Sequence, residues 1–444
     1  MSAAMPSAPE SKGRWTVRAA IALAIGTLLM PAAALAERDE DRDGRRFATW
    51  ESALQGVHGT SEDFTVRNVA RASVSGTRIR VRIGNQYGTQ SITIRAATIG
   101  LQRSVAQPAL VPGSLRTLTF QHGQTSVNIK AGEVVWSDPV SLRVHAQQNM
   151  AVSLHAPGAQ VNDHTFPAPE TNPPGCFISA SAGDHTADVS GAPFPSTYVF
   201  ENTRTPGWHP GELLWVDLID VNADIKGTIV ALGDSITDGY QVSGGGDRWT
   251  DLLSERINRL PAERQKSIVN AGISGNTVSR QPNPYDPTQQ CCGAPAPIRL
   301  ERDVLSVPGV TDVMLLEGTN DLGGDGAWPP SPAAQVIGGI QEVVARVRAR
   351  GLRIVCSTVL PMCNEVGSSR EQNRLKVNAF IRTRGSCDAV IDWDAVMKDP
   401  DDPTVIRLAW RNDCYHPNAL GDRKMADAVD LAIFGLGRGE DDED

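Results

Sequence analysis

The chain has 444 residues, 40% of them hydrophobic and 21% charged, which is an ordinary globular composition with room for two or three domains. Its formal net charge of -9 argues against a nucleic-acid partner, because binding phosphates needs clustered lysine and arginine.

Taken in chain order, Lys12, Arg14 and Arg18 precede an apolar stretch over 19–30, and Ala34-Leu35-Ala36 offers small residues for cleavage. That pattern reads as a secretory signal peptide over 1–36, cut after Ala36, and predicts a secreted or periplasmic protein. The apolar run falls short of the ~20 residues a spanning helix needs, so no membrane association is expected after cleavage. Residues 37–46 form a mixed charge run and 436–444 a Gly-Glu-Asp tail, both read as solvated, disordered ends. The tail lacks the spaced oxygen ligands of a calcium loop, and no cysteine pair has zinc spacing with histidines. Neither a metal nor a cofactor is expected.

Between 47 and 222 the pattern is one of short alternating, β-branched segments. Thr77-Arg78-Ile79-Arg80-Val81-Arg82-Ile83 alternates strictly, and 91–95 repeats the period after Asn85-Gln86-Tyr87-Gly88. Further strands are predicted over 126–129, 140–144, 151–155 and 213–221. Period-two segments punctuated by turns predict an all-β sandwich, jelly-roll-like in character.

From 227 to 435 the rhythm changes. Apolar strand-length runs over 228–232, 267–271, 312–316, 353–358 and 389–392 alternate with helical patterns over 249–260, 298–304, 334–350, 372–384 and 418–434. Such βα alternation predicts a parallel sheet covered by helices on both faces, an α/β three-layer architecture. Ligands of open α/β sheets bind beyond the carboxyl ends of the strands. Four polar blocks fall there: Gly233-Asp234-Ser235-Ile236-Thr237-Asp238-Gly239 after the first strand, Asn270-Ala271-Gly272-Ile273-Ser274-Gly275-Asn276-Thr277 after the second, Glu317-Gly318-Thr319-Asn320-Asp321 after the third, and Asp413-Cys414-Tyr415-His416 after the fifth.

His416 is the only histidine beyond Gly227. A serine that attacks an ester needs a base for its proton and a third group to orient that base. Ser235 is the candidate nucleophile, His416 the base, and Asp413, three residues earlier, the orienting carboxylate. Backbone N–H groups at Ser235 and in the glycine block, with the Asn320 amide, are candidate oxyanion donors. Each block alone reads better as a simple turn. Their conjunction, in order and on one sheet edge, predicts a serine hydrolase.

Together the blocks resemble the SGNH (GDSL) hydrolase family, over 227 to about 435. The resemblance implies a flavodoxin-like SGNH fold, a catalytic set of Ser235, Asp413 and His416, and an oxyanion hole formed by Ser235, Gly275 and Asn320. Gly275 is assigned rather than Gly272 because the family's donor glycine follows the Ile-Ser pair. Asp247-Arg248-Trp249 and Arg302-Asp303-Val304-Leu305 add similarity to secreted bacterial acylhydrolases of xylan-degrading systems, which carry an N-terminal β-domain. That implies an ester substrate, with acetyl or other short acyl groups on polysaccharide first. A generalist short-chain or aryl esterase or lipase comes second, and a non-catalytic polysaccharide-binding protein third. Tyr285 and Trp328, on loops over 281–297 and 322–330, are candidate specificity residues. All seven cysteines lie beyond residue 36, so pairing is expected in an oxidising compartment. Cys414 interrupts the Asp-His block, and Cys363 or one of the vicinal pair Cys291-Cys292 is its expected partner.

Overall fold

The strict alternation at Gly76–Gly84 puts Ile79, Val81 and Ile83 into a dry core while Arg78, Arg80 and Arg82 take the other face. In the computed structural model, which describes residues 44–166, 175–194, 196–197, 211–242, 246–279, 292–323 and 330–437, this strand is central to the N-terminal half. It pairs antiparallel with Val216–Asn222, Val140–Val144 and Val134–Trp136, and Arg46–Glu51 completes the sheet beyond Val216–Asn222. A second antiparallel sheet is built around Thr65–Arg71, Asn149–His155 and Ala96–Leu101. The two sheets enclose one apolar core, in which Ile79 and Val81 share a cluster with Val66, Ile99, Val152 and Leu154. This is the expected β-sandwich.

Several strands carry no sequence signal of alternation. Arg46–Glu51, Thr65–Arg71 and Gln160–Phe166 bury polar side chains, several of which are hydrogen-bonded across the fold. Arg67, for instance, is fully buried and donates to Ser153 Oγ and to the Pro108 and Asp188 carbonyls. The single strand expected over 213–221 is two, Gly211–Leu214 and Val216–Asn222, because Trp215 adopts a left-handed φ of 60° and the chain changes sheet there.

In the C-terminal half five strands, Thr228–Gly233, Ser267–Gly272, Val310–Leu316, Arg353–Ser357 and Ala389–Ile391, form an all-parallel sheet in the spatial order second, first, third, fourth, fifth. That order is flavodoxin-like, and it reverses direction between the first and third strands. Successive residues feed opposite faces. Val230 and Leu232 join a core with Val336, Ile340 and Val343 of the helix Ala333–Ala349, while Ile229 and Ala231 join Trp249, Leu253, Trp393 and Met425 on the other side. The result is a three-layer helix–sheet–helix domain.

Several helices depart from their expected bounds, the one over 372–384 being Ser369–Ile381. The helix expected over 418–434 is Ala419–Asp427 followed by a separate turn, Leu431–Phe434, which starts afresh because the Asp430 side chain caps it by accepting from Ala432 N–H. A short helix, Trp393–Met397, was not anticipated and is capped by Asp392. The two halves lie within one compact unit, Asp43–Asp444. Ala48 and Leu218, from the first sheet, belong to the same core as the parallel strands. The proposed leader over 1–36, part of the 37–46 linker, Tyr285, Trp328, Cys291 and most of the acidic tail lie outside the described residues.

Candidate active site

The first strand ends at Gly233, and Asp234 turns the chain into the helical turn Ser235–Asp238 by accepting Ile236 N–H on Oδ1 at 2.9 Å. Gly239, at φ 98°, ends that turn in a left-handed cap. Ser235 is thereby presented at the carboxyl end of the sheet. Its Oγ lies 2.9 Å from His416 Nε2. On the far side of the ring, Nδ1 is 2.8 Å from Asp413 Oδ2, so Nδ1 carries the proton and Nε2 offers its lone pair to the serine hydroxyl. The three residues expected from sequence are thus brought into one hydrogen-bonded chain.

The i, i+3 spacing of Asp413 and His416 has a second use. Asp413 Oδ1 accepts the backbone N–H groups of Tyr415 and His416, both at 2.7 Å, which locks the loop that carries the imidazole. Burial works against ionisation of Asp413, but the hydrogen bond and charge of His416 and the two backbone donors prevail, holding it at about 2. Asn412 Nδ2 donates to the Gln241 carbonyl and so ties this loop to the segment following Ser235. The Tyr240 ring packs 4.3 Å from the His416 ring. Of the two alternatives for Cys414, Cys363 is its partner, with Cα atoms 5.3 Å apart; Cys356 and Cys387 form a second disulfide.

The glycine and asparagine blocks are fastened to the serine turn and to each other. Ser274 donates both its N–H, at 3.1 Å, and its hydroxyl, at 2.8 Å, to Asp238 Oδ2. Gly275 follows at φ 79°, a conformation that favours glycine. Asn320 Nδ2 donates to Asn276 O at 2.8 Å, and the Asp321 carboxylate accepts the N–H groups of Val278 and Ser279. Gly272, the alternative donor in this block, is still in the sheet, and its N–H is spent on Asn270 Oδ1 at 2.9 Å.

Sequence reasoning missed the buried frame of this arrangement. Arg299 is fully buried and donates to the carbonyls of Gly233 and Ala271, the ends of the first two strands, and to Asn276 Oδ1. An arginine inside an apolar helical segment was the available signal. Asp238 and, from the N-terminal half, His164 were also missed; they meet at 3.0 Å.

A serine, a histidine and a carboxylate in hydrogen-bonded order on a parallel sheet are compatible with several families. Residues 231–424 match the family model described as GDSL-like lipase/acylhydrolase. This segment is a GDSL-like hydrolase domain. The chain is accordingly a carboxylic ester hydrolase. No curated protein sequence matches it. Among solved structures, the chain is similar to an acetylxylan esterase from Geobacillus stearothermophilus, at 20% identity over 48% of this chain and 97% of that one, with a TM-score of 0.36. A GDSL-like lipase from Bacteroides thetaiotaomicron matches at 19% identity over 48% of this chain and 90% of that one, with a TM-score of 0.34. An alpha/beta hydrolase enzyme from the metagenome of Lake Arreo matches at 22% identity, 49% and 98% coverage, and a TM-score of 0.36.

Proposed function

We propose that this GDSL-like hydrolase is an exported serine esterase that removes acetyl or other short acyl groups from polysaccharide, with Ser235 as nucleophile, His416 as base and acid, and Asp413 as orienting carboxylate. The observation that carries the reading is the chain Ser235 Oγ–His416 Nε2, His416 Nδ1–Asp413 Oδ2, at 2.9 and 2.8 Å, at the edge where the strand order reverses.

In this reading Ser235 Oγ attacks the ester carbonyl while Nε2 takes its proton. The carbonyl π electrons move to oxygen, and that oxyanion rests on the N–H groups of Ser235 and Gly275 and on the Asn320 amide. The oxyanion collapses, the C–O bond to the alcohol breaks, and the imidazolium returns the proton to the leaving oxygen. Water, deprotonated by the same ring, then releases the acid and regenerates Ser235. Asp413 stays ionised throughout and stabilises the imidazolium.

Export is supported by the leader-like pattern over 1–36 and by the disulfides Cys356–Cys387 and Cys363–Cys414 among the described residues. Among the described residues no helix is long and apolar enough to cross a membrane. The polysaccharide assignment rests on the resemblance carried by Asp247-Arg248-Trp249 and Arg302-Asp303-Val304-Leu305. Its test is acetate release from acetylated xylan by the protein beginning at Glu37, with Ser235→Ala beside it. Release by the wild type alone supports both mechanism and substrate. Turnover of p-nitrophenyl acetate without release from xylan moves the substrate to small or lipid esters. Polymer binding with no turnover of any ester would leave a binding protein.

A further inference from the structure

We propose that the N-terminal β half completes the active site: His164 is a positioning residue that holds Asp238, and through it the Ser274–Gly275 segment, where the Gly275 N–H can meet the oxyanion. This rests on the serine-esterase reading above and assigns the β half a part in it.

Both ring nitrogens of His164 face acceptors, Nδ1 the Ala53 carbonyl at 2.8 Å and Nε2 the Asp238 Oδ1 at 3.0 Å. A ring placed between a carbonyl and a carboxylate carries protons on both nitrogens. Burial and the charge of Arg248 oppose the imidazolium, but Asp238 and the hydrogen bonds to it and to Ala53 outweigh them, holding His164 above its ordinary range. The side chains of both partners are almost wholly buried, at 3% and 1% exposure, so this ion pair is shielded from water.

Asp238 divides its carboxylate between two jobs. Oδ1 faces the β half, and Oδ2 receives the N–H and hydroxyl of Ser274, the residue just before Gly275. Asp238 is also the last residue of the turn that begins with Ser235. One buried carboxylate therefore fixes the distance between the nucleophile's turn and the glycine loop, and the β half fixes that carboxylate. Removing His164 leaves a buried carboxylate that either takes up a proton or turns toward another donor, and each response loosens Ser274. A histidine that merely stapled the two halves together would affect stability and leave the chemistry of the folded enzyme unchanged.

The experiment compares full-chain wild type, His164→Ala, His164→Gln and Ser274→Ala. The readouts are the rate at which a fluorophosphonate labels Ser235, the kcat and KM for p-nitrophenyl acetate, and circular dichroism to verify folding. The phosphonylation rate depends on the oxyanion site without requiring knowledge of the natural ester. His164→Ala is expected to lower labelling and kcat by about 10- to 10²-fold, with KM within about twofold. Gln, whose amide can still donate to Asp238, recovers part of the loss, and Ser274→Ala reproduces it. Labelling at the wild-type rate by folded His164→Ala, or by Ser274→Ala, overturns the proposal. Should His164→Ala fail to fold, the Gln and Ser274 variants decide. Absence of labelling at Ser235 in the wild type instead refutes the serine-esterase reading itself, and the inference falls with it.

Discussion

Gly272→Ala asks the most of the site's geometry. A Cβ at this position would sit 2.4 Å from Asp238 N and 2.8 Å from both Asp238 Cα and Thr237 C. All three are backbone atoms of the turn carrying Ser235, so no flexible side chain can give way. Non-bonded heavy atoms settle at about 3.5–4.0 Å, so the turn and the second strand must part by about 1 Å. Overpacking of this kind costs about 1–3 kcal/mol of stability. A misplacement of about 1 Å at reacting groups costs about 10²-fold in rate, or about 2.7 kcal/mol of barrier. The assay is kcat on p-nitrophenyl acetate together with the thermal midpoint. Gly338→Ala serves as control, because Gly338 is exposed in the helix Ala333–Ala349 and its Cβ would meet nothing within 4 Å. The control should be neutral or more stable by up to about 1 kcal/mol. A Gly272→Ala enzyme with kcat within threefold of wild type, roughly, and an unchanged midpoint would refute the close-packing argument.

Three further outcomes are expected. Asn320→Ala should lower kcat by on the order of 10²–10³ with little change in KM, since an oxyanion donor acts in the transition state; a matching rise in KM at constant kcat would instead mark it as a ground-state binding group. Asp234, pushed up to about 6 chiefly by burial, holds its proton more tightly in the folded chain than the ordinary value of 3.8 allows. Its contribution is fully present below about pH 3.8 and is lost as pH rises through 6, on the order of 3 kcal/mol; denaturant titrations from pH 4 to 7 should show that slope flattened in Asp234→Asn. Cys363 and Cys414 close a loop of 51 residues, so replacing both by serine should cost about 4 kcal/mol and lower kcat by loosening the His416 loop. Chemical denaturation and steady-state kinetics check the two effects separately, and an unchanged kcat would show that the hydrogen bonds of Asp413 and Asn412 hold the loop without the disulfide.

The legible parts of the sequence were those whose signal is local. Apolar runs such as 228–232 give buried parallel strands because both faces of the sheet are covered. Ser235 and the Asp413–His416 pair are legible because their chemistry is packed into short blocks at strand ends. What stayed hidden depends on partners far along the chain. His164 sits in Gln-Val-Asn-Asp-His-Thr-Phe, a segment with no apolar alternation, and its role exists only because Asp238, 74 residues later, lies beside it. Arg46–Glu51 reads poorly as a strand because its alternate face is not solvated; Ala48 packs into the other half's core, and Arg46 pairs with buried Asp220. Period-two reasoning presumes one wet face, and here that face is an internal contact.

The sharing of Ala48 and Leu218 with the parallel-sheet core also has a bearing on descent. Proteins built from separable modules can exchange them by recombination at the linker, and each module keeps its stability. A crossover near residues 222–227 in this chain would divide a core and, with it, a set of mutually fitted side chains. Substitutions on either side of that junction must therefore be compatible with each other. The lineage is expected to inherit the pair as a unit, with the β half diverging no faster than its buried contacts permit.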